Sequence, residues 1–338
     1  MGATRRTWPG DLAIFAILAL LPLVDRGANV YAEMPKIYIF SILALGLNLV
    51  VGNTGILHLG MAAFFAIGAY TAGILTCTSF PFHLEFGFWG ALLLAPLAAA
   101  AAGFLLGLPV LRLRGDYVAI VTLGFGEIIQ SVLKNLGSIT KSAQGIAVPP
   151  PSLFRLSFES SQDALPWYGF SLGILAIAFW ANRRLEAGSL GRAWRALRED
   201  ELAAASCGIP TVRAKLAAFS LGAAYAGLAG ALYASLLGTT TVPSSYNFMV
   251  SAMVVVMVIL GGMGNLRGVL AGVILLQGFD MVVAPRLAHF FSAPGGSVGF
   301  FTDYTNWRWL AFGILLILLI RFRPQGLFPA RRAGEGDA

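Results

Sequence analysis

Apolar residues in this chain gather in long unbroken runs rather than at helical or strand-like intervals. The runs lie near 11–25, 36–52, 55–78, 86–110, 117–134, 164–182, 215–237, 246–262, 268–285 and 307–322. Between them fall short stretches where charge, glycine and proline collect. A helix that is apolar on every side cannot face water and belongs in a protein core or a bilayer. The hydrocarbon layer takes about 20 apolar residues per helix, with shorter runs tolerated where flanks snorkel or neighbours shield them. The pattern predicts an all-α, polytopic transmembrane bundle of ten spans, forming one domain over residues 1–338. The first run is short and contains Pro22, and the fifth contains Glu127.

Composition decides between core and bilayer. The chain is 57% hydrophobic and only 12% charged, with a mean hydropathy of +0.77. A soluble domain carries roughly 25% charged residues, so there is too little polar side chain to coat a water-facing surface. Forty glycines fit close helix packing in lipid. The net charge of +7 does not point to nucleic acid, because the basic residues are dispersed and form no face interleaved with aromatics. Arg5 and Arg6 ahead of an apolar run from Leu12 to Val24 resemble a signal peptide. No small-x-small cleavage site follows in Asp25-Arg26-Gly27, so the run reads as a retained first helix.

The basic residues also fix an orientation, since Lys and Arg accumulate on the cytoplasmic side. With ten spans and a cytoplasmic N-terminus, 16 of the 23 fall inside and 7 outside. Dropping one helix would put the stretches 183–198 and 321–332 on opposite faces. Both termini are therefore expected in the cytoplasm. Connection 135–163, with Pro149-Pro150-Pro151, is expected outside, and the Arg-rich connection 183–214 inside. The latter reads as helix, with Ala193, Leu197, Leu202 and Ala205 recurring at spacings of three to five and a stop at Gly208 and Pro210. Cys77 and Cys207 are expected on opposite sides, which argues against a disulfide.

Candidate chemistry is sparse. None of Lys36, Lys134, Lys141 or Lys215 follows a glycine as a phosphate-binding loop requires, so any ATP is expected on a partner. The histidines His58, His83 and His289 are scattered, and no metal cluster or bound cofactor is expected. His58 lies in the glycine-rich stretch Gly52–Gly60 and reads as an interfacial hydrogen-bonding residue or a pathway residue. Ionisable groups inside a membrane are costly and default to functional candidates. Glu127 is the clearest, and it is open to three readings: binding a substrate ammonium, relaying protons or capping a neighbouring helix. Gly124, Gly126 and Thr122 share its run, and Asp280 sits late in another. The small-residue face Gly222-x-x-x-x-Gly227-x-x-Gly230 reads as helix packing, with substrate contact as the lesser alternative. Gly52-Asn53-Thr54-Gly55 and Gly261-Gly262-Met263-Gly264 echo each other at two short inner turns. That echo reflects either related substructures or the ordinary need of a tight turn for glycine.

Several motifs together resemble a known family. Leu47-Asn48-Leu49-Val50-Val51-Gly52, Leu59-Gly60-x-x-Ala63-Phe64-x-x-Ile67-Gly68-Ala69-Tyr70 and Leu113-Arg114-Gly115-Asp116-Tyr117 continuing to Glu127-Ile128-Ile129 are similar to permeases for branched-chain amino acids in ABC importers. So are Gly191-Arg192-Ala193, Arg198-Glu199-Asp200-Glu201, Leu260-Gly261-Gly262-Met263-Gly264 and Arg323-Pro324-Gln325-Gly326-Leu327. The likeness is strongest to the larger of the paired permease subunits in leucine/isoleucine/valine systems. It implies a multi-pass protein of the bacterial inner membrane that transports apolar amino acids and catalyses no bond-making step. It also implies a second, homologous permease subunit, two cytoplasmic ATPases and a periplasmic binding protein as partners. Connection 183–214 then matches the loop that docks on the ATPase, with Arg198, Glu199, Asp200, Glu201, Ala203, Ala204 and Gly208 as its contact candidates. ABC importers commonly carry Glu-Ala-Ala, three residues, then Gly there. Here Leu202 holds the Glu position and the acid falls one earlier, at Glu201. In the outer connection, Ser142-Ala143-Gln144-Gly145-Ile146 replaces a more glycine-rich stretch. The pathway candidates are Glu127, Thr122, Gly124, Gly126, Gly52 and His58.

Two alternatives stay open at this level. One is an ABC permease for urea or short amides. The other is a proton-coupled secondary transporter with Glu127 as the relay. A membrane-embedded enzyme is disfavoured, because no nucleophile–base pair or metal constellation appears.

Overall fold

The computed structural model describes residues 28–76, 86–110, 113, 116–140, 145–148, 150–153, 156–157, 164–240, 242–280 and 326–328, with positions 15, 18, 313–314, 317 and 321–322. Helix α1 (Ala28–Leu47) runs into a single π-helical turn, Asn48–Gly52. Then come α2 (Met61–Thr76), α3 (Phe88–Val110), α4 (Asp116–Asn135) and the one-turn α5 (Gly137–Thr140). A two-residue antiparallel pair, Ser152–Leu153 with Leu156–Ser157, precedes α6 (Ala164–Ala187). The short helices α7 (Ser189–Glu199) and α8 (Glu201–Ser206) lead to α9 (Thr211–Leu237). A 3-10 turn at Pro243–Ser245 precedes α10 (Phe248–Gly261) and α11 (Leu266–Gly278).

The described residues are predominantly helical, and six of their helices are long and apolar enough to cross a membrane. Helices α2 and α11 are apolar but shorter. The expected spans at 11–25 and 307–322 lie outside the described residues apart from a few positions, as do Cys77, His83, His289 and residues 141–144. Expected and observed bounds agree within a few residues for α3, α4, α9 and α10. The expected span 55–78 is corrected: residues 55–60 are not helical, and the helix begins only at Met61.

Helix α9 forms the centre, packed against α3, α2 and α1. Its small-residue face is a packing face. A Cβ on Gly230 would lie 2.0 Å from the Phe65 carbonyl, and one on Gly68 would lie 2.1 Å from the Gly227 carbonyl. Backbones that close leave van der Waals contact as the cohesive force, as expected where lipid offers no hydrophobic drive between helices. Helices α10 and α11 meet the same way, with a Cβ on Gly268 only 2.4 Å from the Gly261 carbonyl. On α3 the large residues turn outward, with Leu93, Leu97 and Leu105 exposed along one side. An apolar outer surface over a small-residue interior is the arrangement of a helix bathed in lipid.

The connections gather at two ends. At one, the turn after α1 meets the α10–α11 turn and the Arg-rich connection: Arg198 Nη1 donates to the Gly52 carbonyl at 2.6 Å, and Asn53 Nδ2 donates to Glu186 Oε1 at 3.0 Å. At the other, Ala147 bridges Thr239, Val148 N donates to the Gly238 carbonyl at 3.0 Å, and Thr240 N donates to the Ile146 carbonyl at 2.9 Å. Residues 146–148 and the connection 183–214 thus stand at opposite ends.

Candidate functional site

Between α1 and α2 the chain reverses at Gly55 (φ +74°) and stays irregular to Gly60. Irregular backbone at membrane depth must find hydrogen-bond partners inside the protein, and the first N–H groups of α2 have none within their own helix. Side chains from two other helices and one from the segment itself supply them. Leu59 N donates to Thr122 Oγ1 of α4 at 3.0 Å, and Ala62 N donates to Ser251 Oγ of α10 at 2.9 Å. Gly60 N donates to His58 Nδ1 at 3.3 Å. Gly60 has to be glycine, because a Cβ there would lie 2.4 Å from the Thr122 carbonyl.

His58 is 1% exposed. Its Nδ1 is the acceptor, which leaves the proton of the neutral ring on Nε2. That nitrogen has no hydrogen-bond partner among the described residues and sits among Phe64 and Phe219, with ring centroids 5.6 and 5.4 Å away. Phe64 in turn touches Phe125 of α4 at 5.5 Å. His58, Gly60, Thr122 and the start of α2 therefore form one buried unit on α4 and α10, while Gly55 and Leu57 at the beginning of the break are exposed.

Glu127 is not part of it. Its position in an apolar run suggested a buried carboxylate, but the structure exposes it. Helical geometry gives the reason: Val118, Ala119, Thr122 and Gln130 form the buried stripe of α4, and five residues past Thr122 is about 140° round the helix. Glu127 shares an open face with Tyr117, Ile120 and Ile128, and a Cβ on Gly124 would meet nothing within 4 Å. Gly126 lies at the margin, where a Cβ would be 3.9 Å from the Gly60 Cα. So Thr122 and His58 come together, Gly126 borders them, and Glu127 with Gly124 faces away.

Gly52 belongs to the opposite problem, a tight junction. A Cβ there would lie 2.0 Å from Asn48 Oδ1 and 2.7 Å from Gly264 N, two atoms joined by a 2.9 Å hydrogen bond. The two glycine-rich turns thus touch each other directly. Asn48 stands in an apolar run, and a polar amide there is a signal in the sequence of a hydrogen bond across the bundle. Ser251 in α10 carried the same signal.

The Arg-rich connection is helical as expected, but its phase differs. The backbone is extended at Asp200 (φ −158°), which ends α7 and starts α8 afresh. The inward residues are consequently Trp194, Leu197 and Ala204, while Leu202 is 71% exposed. Asp200 Oδ1 accepts from Leu202 N at 2.8 Å and Ala203 N at 3.0 Å, an N-cap. Glu201 pairs with Lys215 at 2.5 Å, and Trp194 Nε1 donates to the Ala214 carbonyl at 2.8 Å, so both short helices hang from the start of α9. Gly208 (φ +79°) closes α8. Of the acidic cluster, Asp200 and Glu201 are engaged within the chain. Glu199 has no ion pair among the described residues and points out, with Leu202, Ala203 and Cys207 exposed beyond it.

Long apolar helices, an irregular segment satisfied inside the bundle and a charged helical pair at one end define a polytopic membrane protein. The family described as branched-chain amino acid transport system / permease component matches residues 34–320. The chain belongs to that family. It is 42% identical to the high-affinity branched-chain amino acid transport system permease protein LivM of Salmonella typhimurium, over 95% of this chain and 75% of that protein. It is equally 42% identical to LivM of Escherichia coli, over 92% of this chain and 72% of that protein. LivH of Salmonella typhimurium, a permease protein of a high-affinity branched-chain amino acid transport system, is 25% identical over 85% of this chain and 90% of its own length. No solved structure matches the chain significantly.

Proposed function

We propose that this chain is a transmembrane permease subunit of an ABC importer in the bacterial inner membrane, forming half of a translocation path for branched-chain amino acids. The observation that carries the reading is the 42% identity to LivM over 95% of the chain. The subunit has ten spans, with both termini in the cytoplasm. Helices α7 and α8 then face the cytoplasm and dock on one of two ATPases, while connection 135–163 faces a periplasmic binding protein. ATP is bound by the ATPases and not by this chain. The docking surface is the exposed apolar residue Leu202 beside Ala203, flanked by Glu199, the acid left free for a partner. A second, homologous permease subunit covers the open face of α4, since a carboxylate such as Glu127 is costly against lipid. Alternating access needs differential binding energy between two states, and here the ATPases supply it.

The test is uptake of radiolabelled leucine by vesicles holding this chain with its second permease, ATPases and binding protein. Replacing residues 195–208 with a flexible linker is expected to abolish uptake and copurification of the ATPases. Unchanged uptake after that replacement overturns the mechanism. Uptake by this chain alone, abolished by an uncoupler, would establish the proton-coupled alternative. Binding of urea or acetamide, and not leucine, by the binding protein would move the cargo to short amides.

A further inference from the structure

Arg198 closes α7 beside the proposed docking surface, yet its guanidinium points away from that surface. Nη1 reaches the Gly52 carbonyl at 2.6 Å, and its stem lies across the turn, where a Cβ on Gly55 would be 3.2 Å from Arg198 Cγ. The acceptor closes the π-helical turn that prolongs α1, a helix end where carbonyls lack intrahelical partners and carry the negative end of the helix dipole. A guanidinium suits that place, being permanently charged and presenting a planar fork. Gly52 in turn abuts Asn48 and Gly264, whose hydrogen bond ties α1 to the α10–α11 turn.

The other anchors of the α7–α8 pair go elsewhere: Arg192 and Arg195 donate back to the Ala187 and Glu186 carbonyls at the end of α6, both at 3.2 Å. Trp194 and Glu201 fasten it to Ala214 and Lys215 at the start of α9, the tightly packed centre of the bundle. The pair is therefore hinged on an element with little freedom and grips a second one at the junction of α1, α10 and α11. We propose that Arg198 is a positioning residue that carries movement of the docked α7–α8 pair into the end of α1, rather than a contact to the ATPase. This rests on the docking reading above.

The experiment uses the complete complex with its binding protein. Arg198→Ala is expected to copurify with both ATPases at wild-type stoichiometry and to hydrolyse ATP within about two-fold of wild type. Leucine uptake should fall ten-fold or more, and stimulation of hydrolysis by loaded binding protein should disappear. Arg198→Lys should restore part of the uptake, because an ammonium still donates to the carbonyl. Glu199→Ala should show the reverse pattern, losing ATPase copurification first. Wild-type uptake in Arg198→Ala overturns the proposal. So does loss of the ATPases from that variant, which would make Arg198 a docking contact. If Arg198→Ala does not accumulate, Arg198→Gln and Arg198→Lys are read in its place by the same two ratios. Retained uptake with the 195–208 linker would instead defeat the docking reading itself, which keeps the two failures apart.

Discussion

Asn48 Oδ1 accepts the backbone N–H of Gly264 at 2.9 Å across 216 residues of sequence. One side-chain oxygen thus closes the junction between the end of α1 and the α10–α11 turn. Asn48→Ala removes the acceptor without adding bulk beside Gly52, leaving a part-buried N–H unsatisfied at a cost of about 1–3 kcal/mol. Thermal unfolding of the detergent-solubilised complex should register the loss. An unchanged midpoint would show that water or another group replaces the asparagine.

Thr122 makes the same kind of link deeper in the bundle, accepting from Leu59 N while donating to the Ala119 carbonyl at 3.0 Å. Thr122→Val is nearly isosteric but deprives Leu59 of its partner, again costing about 1–3 kcal/mol. Thr122→Ser keeps the hydroxyl and should stay within about 1 kcal/mol of wild type. Comparing the two in thermal unfolding separates the hydrogen bond from the packing of the methyl group.

The glycines divide into two populations with opposite expectations. Gly230→Val should prevent accumulation of folded protein in the membrane, because the Phe65 carbonyl occupies the space of the new side chain. Gly124→Ala should accumulate like wild type, since nothing stands within 4 Å of its Cβ. Fluorescence-detected size exclusion of tagged variants reads both.

Glu127→Gln should leave accumulation and thermal stability of the subunit unchanged, because the side chain is exposed. In the assembled transporter it should reduce leucine uptake several-fold. The loss follows from the second subunit covering this face, and wild-type uptake would show that the covered face does not use the charge of Glu127.

Asp200→Ala deletes the cap of α8, a change worth about 0.5–2 kcal/mol. Its effect should stay local, with the bundle melting normally and ATPase copurification reduced. Hydrogen exchange over residues 201–206 should rise in the free subunit.

The long spans were legible because lipid imposes one requirement along the whole helix, so apolar runs mark α3, α4, α9 and α10 closely. The helical character of 183–214 was also legible. Its facing was not, because one extended residue at Asp200 resets the phase, and no periodicity crosses such a break. Residues 55–60 read as span because they are nearly as apolar as helix. What unwinds them is Gly55, Gly60 and hydroxyls more than 60 residues away. The placement of Glu127 followed the same logic: an apolar run says that a residue is in the membrane, not which way it points. The two glycine-rich turns were seen as similar, but their mutual contact depends on tertiary packing.

The central place of α9 bears on how the chain is made. Its immediate walls, α1, α2 and α3, all precede it in the sequence, and their closest seats are shaped by α9 itself: a Cβ on Gly103 would lie 2.5 Å from Ala223 Cβ. During synthesis those three helices reach the membrane while the helix that joins them is still inside the ribosome. Helices α2 and α3 can already pair with each other, and α1 with α6, but the bundle can close around its centre only after Leu237 has been translated. A nascent chain stalled before that point should be inserted yet open to proteases, which makes completion of α9 the committing step of biogenesis.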